Sequence, residues 1–200
     1  MEKAKKIVKG LLDECRQRGA YYFFIMYLTN SIAIFRALIY KMLYFRNIKG
    51  GLYFLGARSR MDVYCKKSKI TINPFVFIRK NVSIRVDFDS ELVLGEKVFI
   101  NDNCNINCVR RISIGSYTKI GQNVCIYDHD HNYRKETTDR LLTGEVVIGS
   151  NVWIGSNVVI IRNTHIGDNA VIAAGSIVKG DVPPNSVFLN KRQREIIPYA

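Results

Sequence analysis

From Ile148 onward an aliphatic residue returns every six positions: Ile148, Ile154, Ile160, Ile166, Ile172 and Val178. The same period runs upstream through Leu94, Ile100 and Ile106, then through Ile114, Ile120 and Ile126 after a two-residue slip, with a weaker run at Ile72, Ile78 and Ile84. An α-helix turns every 3.6 residues, so a period of six would scatter these side chains around its axis. A coil with three flat sides of six residues brings them together instead. Each aliphatic residue then points inward and stacks on its counterpart eighteen residues on. Glycine, aspartate or asparagine beside it makes the corner, where positive φ is tolerated. One coil buries little alone, and stacking creates the core. The expected fold is an all-β main domain, a parallel β-helix over residues 51–188 closed by a C-terminal cap at 189–200.

The period breaks between Ile126 and Ile148, where NYRKETTDRLLTGEVV is polar and aperiodic. A long irregular stretch inside a compact solenoid is usually functional or disordered. Residues 127–147 are therefore expected to leave the coil as one protruding loop. Residues 1–50 read differently. AYYFFIMYLTNSIAIFRALIYKML carries no proline, and Arg36 and Lys41 interrupt its apolar run. Helices are expected here, terminated by Gly50-Gly51. The run is nearly long enough to span a bilayer, but charges at mid-helix are costly there. Two readings stay open: packing on protein, which is favoured, or peripheral membrane contact through residues 21–44 with basic flanks.

The formal net charge of +13 favours anionic partners such as coenzyme phosphates, nucleotide sugars or acidic headgroups. No aromatic-basic reading motif accompanies it, so no nucleic-acid partner is expected. Five cysteines form no CxxC pair, and the MEKAKKIVKG start lacks a signal-peptide core. Free thiols in a reducing cytoplasm are expected, with association to the inner membrane face as the alternative placement. Cys104 and Cys108 have no second pair to complete a zinc site, and no metal is expected.

Only three histidines occur, and two of them, His129 and His131, stand together in YDHDHNY at the break. An imidazole there can take a proton, and Asp128 or Asp130 can orient it by accepting its other N–H. Asn101 and Asn103 in INDNCN are either functional or corner residues. Trp153 is the only tryptophan and falls on an outward position.

The runs IGSNVWIGSNVVI and IGDNAVIAAGSIVKGDVPPNSV resemble the hexapeptide-repeat acyltransferases, in particular the sugar O-acetyltransferases of the galactoside and maltose type, over residues 72–196. The resemblance implies a left-handed β-helix, a homotrimer and acetyl-CoA as co-substrate, with a sugar or glycan precursor as acceptor. It makes His131 the general base by ungapped register from Gly115, with His129 as second choice. Asn101 becomes a catalytic or oxyanion-binding residue, and Asn103, Tyr127, Asp128 and Asp130 become acceptor-binding residues. Trp153, Gly155, Ser156, Ala174, Lys179 and Arg194 are implied for the coenzyme. The family's His-Pro is here His131-Asn132, and its Thr-Lys after the GAGSIV-like stretch is here Lys179-Gly180. N-acetylation of an amino sugar is the alternative on this scaffold. A metal-dependent hydratase needs three histidines at another spacing, and a non-enzymatic scaffold leaves Trp153 and DHDH unexplained.

Overall fold

The computed structural model describes residues 2–133 and 140–190. Two helices, α1 (Glu2–Arg18) and α2 (Ala20–Leu43), precede a three-sided parallel β-helix. The first face stacks Ile48–Gly50, Lys69–Ile72, Glu91–Leu94, Arg111–Ile114 and Glu145–Ile148, in that order. The second face is a seven-stranded sheet running from Tyr53–Leu55 to Val187–Phe188. The third carries Arg60–Val63, Ser83–Val86, Asn105–Cys108 and Cys125–Tyr127. It merges with the first where Val159–Ile166 and Ile177–Val182 run through the corner between them.

Strand side chains alternate in and out, so in-register stacking turns one inward position per coil into a continuous column. On the second face the column is Leu55, Ile78, Ile100, Ile120, Ile154 and Ile172. On the third it is Met61, Ile84, Ile106, Ile126, Ile160 and Val178. All twelve are buried. The period of six thus reports the core directly. Coil length is less regular than expected: Ile48 sits beside Ile70 and Ile70 beside Leu92, twenty-two residues apart, while Val146 and Thr164 are eighteen apart. The extra residues of the early coils lie at the corner between the third and first faces.

Of the residues expected at the corners, asparagine takes the left-handed turn. Positive φ falls on asparagine two places after the small residue at Asn151, Asn157 and Asn169, and also on Asn163 after Ile161, while Gly149, Gly155 and Gly167 are not in that region. Those glycines answer a different constraint: a Cβ on Gly155 would press into the Ala174 backbone of the next coil. The asparagines take the left-handed turn and ladder along the corner, Asn151 to Asn169 at 2.9 Å and Asn169 to Asn185 at 3.0 Å.

The helical segment ends at Leu43, earlier than Gly50-Gly51, because Ile48–Gly50 already pairs with Ile70–Ile72 as the first strand. Helix α2 closes the open end of the prism. Ala33 and Ala37 are buried against the first coil, and the buried Tyr53 hydroxyl donates to the Ala37 carbonyl at 3.0 Å. Burial holds that phenol well above its ordinary pKa, so it stays a donor. The two charges inside the apolar run also turn toward the coil. Arg36 donates to the Ser59 carbonyl at 2.7 Å and the Leu55 carbonyl at 3.3 Å, and Lys41 to the Gly50 carbonyl at 2.7 Å. At the other end, the residues expected as a cap fall mostly at 191–200, outside the described residues.

Ile154 has neighbours above and below in its column, at Ile120 and Ile172. Ile154→Ala is expected to cost about 2–5 kcal/mol, the usual penalty for a cavity in a close-packed core. Chemical denaturation checks it.

Candidate active site

The departure from the coil is narrower than 127–147. Tyr127 still pairs with Asn107 on the third face, and Glu145–Ile148 is back on the first. Between them His129–His131 pairs antiparallel with Leu141–Thr143, a two-stranded ribbon standing out from the corner. Gly144 closes its return, where a Cβ would overlap the Asn163 side chain.

The root of this ribbon is a buried carboxylate. The third face's last inward column runs Val63, Val86 and Cys108, and Asp128 takes the next place in it. Asp128 is fully buried. A buried charge needs partners, and the previous coil's corner supplies them: the backbone N–H groups of Val109 and Arg110 donate at 3.0 and 2.8 Å. His129 Nδ1 lies 3.0 Å from Asp128 Oδ1, the oxygen that also accepts from Val109. With Asp128 accepting from Nδ1, Nε2 is left as the imidazole's free acceptor. Burial together with the nearby Asp128 carboxylate pushes the Cys108 thiol far above its ordinary pKa, so it is an inert wall residue.

Asp130 points the opposite way along the ribbon and accepts from Arg162 Nε at 2.7 Å. The ribbon is therefore clamped between two corners, Asp128 holding the coil before and Asp130 the coil after. Asp128 orients an imidazole, as one of the two expected aspartates, and the imidazole is that of His129. His131 is exposed, with no hydrogen-bond partner among the described residues. Cross-strand partners face the same side of a ribbon. His129 opposes Thr143 and His131 opposes Leu141, so both imidazoles share the side of those two residues. Leu141 and Thr143 line a cleft of about 630 Å³ beneath the ribbon, together with Phe88, Asp89, Arg110 and Arg140. Tyr127 lies nearby on the outer third face, and its phenol, pushed up to about 12 by burial and then by Cys125, stays protonated.

The remaining candidates gather elsewhere. Asn101, Gly155, Ser156 and Ala174 line the corner between the second and third faces, with exposed Trp153 on the second face beside it. A cavity of about 310 Å³ lies there, lined by Ala173, Ala174, Gly175, Ser176, Leu189 and Asn190. Asn103 is a corner residue with φ of 63°, accepting from the Asn81 amide at 3.1 Å. Asn101 accepts from the Asp102 N–H at 2.9 Å. Lys179 is exposed at the end of the third face, away from that cavity, and Arg194 lies outside the described residues. The histidine ribbon stands on the edge opposite the second face. The two groups are separated by the width of the third face, roughly 15 Å at strand rise.

His165 is on the first face, between Glu145 at 3.2 Å and Asp181 at 3.1 Å. No cluster of three metal-ligating side chains occurs among the described residues. Cys104 and Cys108 are buried and free. The sequence reading missed Arg162 and the Val109-Arg110 corner. The inward place of Asp128 was readable, since Ile126 is inward and every second residue shares its side.

A family model described as bacterial transferase hexapeptide (six repeats) matches residues 145–180. A provisionally named lipopolysaccharide biosynthesis O-acetyl transferase of Escherichia coli, WbbJ, is 33% identical over 131 residues, covering 59% of this chain and 67% of that protein. Galactoside O-acetyltransferase of Escherichia coli is 37% identical over 102 residues, 50% of each. The chain thus spans about half to two thirds of the length of the curated relatives it matches. A solved hexapeptide-repeat acetyltransferase from Vibrio cholerae, complexed with acetyl coenzyme A, is 25% identical, with 76% of this chain and 71% of that one covered and a TM-score of 0.49.

Two outcomes follow for the groups around the ribbon. Asp128→Asn leaves one oxygen to serve three donors and turns an N–H₂ toward backbone N–H groups. It is expected to cost about 1–3 kcal/mol and to speed hydrogen exchange at the Val109 and Arg110 amides. His165 has its pKa raised, chiefly by the hydrogen bond to Glu145 and further by Asp181. A raised pKa stabilises the fold below the ordinary histidine value, and that stabilisation is lost as pH rises through the folded value. The stability gap between wild type and His165→Ala should therefore be larger at pH 5.5 than at pH 8.5, and small at both, since the pair is half exposed.

Proposed function

The chain belongs to the hexapeptide-repeat acyltransferase family, and on that premise we propose that it transfers an acetyl group from acetyl-CoA to a sugar hydroxyl. The observation that carries the reading is the imidazole pair on one side of the ribbon, opposite Leu141 and Thr143, which themselves line a cleft, at the only long break in the coil among the described residues. Transfer from a thioester to a hydroxyl needs a base for the hydroxyl proton and a fixed line of approach. Acetyl-CoA brings an acyl group already activated as a thioester. This chain's own residues have the remaining work.

One imidazole of the pair takes the acceptor proton. The family register assigns this to His131, which is exposed and free to reach an acceptor in the cleft. His129, fixed by Asp128, is the alternative, and in either case Asp128 sets where the ribbon stands. Arg110 and Arg140 at the cleft suit an acceptor carrying a phosphate or a carboxylate. The small residues Gly155 and Ala174 leave backbone open to an extended amide-bearing arm at the opposite corner, with Trp153 nearby and a cavity of about 310 Å³ at Ala173–Ser176. This supports acetyl-CoA binding there.

These two groups are too far apart on one chain for attack, which needs reacting atoms about 3–3.5 Å apart. A ring of copies brings the ribbon edge of one chain to the Trp153 edge of the next. A homotrimer with the site between chains satisfies the distance, and the free thiols are compatible with a reducing compartment.

Turnover of labelled acetyl-CoA with a panel of neutral and anionic sugars tests the reading. His131→Ala is expected to lower turnover by about 10²–10⁴-fold while keeping the fold, and His129→Ala by less. If His129→Ala is dead and His131→Ala normal, the base is His129. If both keep the wild-type rate with a competent acceptor, the proton-transfer role is wrong.

A further inference from the structure

Helix α2 is apolar on both sides, and the coil covers only one. Its inner side uses the small residues Ala33 and Ala37. At 100° per residue, Phe24, Leu28, Phe35, Leu38 and Met42 fall within about 40° of a single line on the opposite side, and Phe45 follows just past the helix end at Leu43. They are 62%, 43%, 65%, 52%, 70% and 68% exposed. Tyr21 and Ile32 flank this stripe and are also exposed. Ordinary soluble surfaces do not leave such a run of large apolar side chains uncovered. The outer face holds no charge, because Arg36 and Lys41 are spent on the coil's carbonyls. The objection that charges interrupt the apolar run therefore does not apply to the side facing out.

Cations surround this face. Just past Phe45, the exposed Arg46, Lys49, Lys66, Lys67 and Lys69 line one cleft, with Asp89 the acid in it. Leading into α2 across Gly19, α1 shows exposed Ile7, Val8, Leu11 and Leu12 on one side and Lys6, Lys9 and Arg16 on the other. That is the pattern of a helix lying at a lipid interface.

We propose that the outer face of α2, with α1, docks on an anionic bilayer and lies in its plane. The helix is long and apolar enough to cross a membrane. Crossing would require stripping Ala33, Ala37, Arg36 and the Tyr53 hydrogen bond from the coil. Lying flat keeps all of them. Charge selects lipid over a second copy of the same face, since a copy brings the same cations into contact and acidic headgroups neutralise them. This docking does not depend on the transferase reading. In the proposed trimer, the three caps would lie at one end and act together.

The test is sedimentation of the full chain with vesicles of phosphatidylcholine alone or with about a third phosphatidylglycerol. Strong binding to the anionic vesicles, weakened by salt, is expected. Phe35→Glu with Leu38→Glu should reduce it about tenfold or more. Lys66→Glu with Lys67→Glu, which leaves α2 intact, should also reduce it and serves if the first pair fails to fold. Wild-type protein that stays in the supernatant overturns the proposal. So does a glutamate pair that changes the oligomer's size by light scattering and leaves vesicle binding unchanged, which assigns the face to another copy. Turnover of a soluble acceptor by the glutamate pair should match wild type, so loss of docking and loss of transferase activity read out separately.

Discussion

Everything in this molecule hangs on the in-register stacking of inward aliphatic side chains from one coil to the next. The columns at Leu55 to Ile172 and Met61 to Val178 form one core with the inward residues of the first face, such as Ile70, Leu92, Ile112 and Val146. A solenoid of this kind has no centre. Its stability is a sum of neighbour contacts, so a feature inserted at one corner leaves the coils on either side intact. The histidine ribbon exploits this. It occupies a corner where earlier coils already carry extra residues, and the first face resumes at Glu145 in register with Arg111.

The ribbon is tied to that core by a single substitution in a column. Where Val63, Val86 and Cys108 fill the inward place, Asp128 puts a carboxylate there. Its burial is tolerable because the adjacent corner offers two backbone N–H groups and His129 offers a third partner. A carboxylate in a hydrophobic column thereby becomes a rigid mount for an imidazole. Asp130 and Arg162 fix the ribbon from the other side. The result is a ribbon whose root is tied to the coil at both corners.

The ends of a solenoid pose the opposite problem, since the first coil has no neighbour below. Helix α2 solves it by laying its small residues over Tyr53 and turning its charges onto the open carbonyls of Gly50, Leu55 and Ser59. That solution leaves the large residues outside. A cap so hydrophobic on its outer side is more than the coil requires, and this surplus is the reason a bilayer enters the account.

The period of six was enough to give the coil, its inward columns and the position of its break, because in a parallel solenoid the local repeat and the tertiary contact are the same thing. The cluster of two histidines at the break was equally plain. Other features depended on distance through space. Gly149 and Asn151 could both have made the corner, and only the close approach of the next coil assigned smallness to one and the left-handed turn to the other. DHDH carried two equivalent acids and two equivalent bases until the column placed Asp128 inside and Arg162 drew Asp130 outward. Asn101 and Trp153 stand on another edge of the prism from the histidines, a separation the sequence did not show. Along the chain, Arg36 and Lys41 were charges in an apolar run. Folded, they bond carbonyls nineteen, twenty-three and nine residues away, and the helix shows solvent an uncharged face.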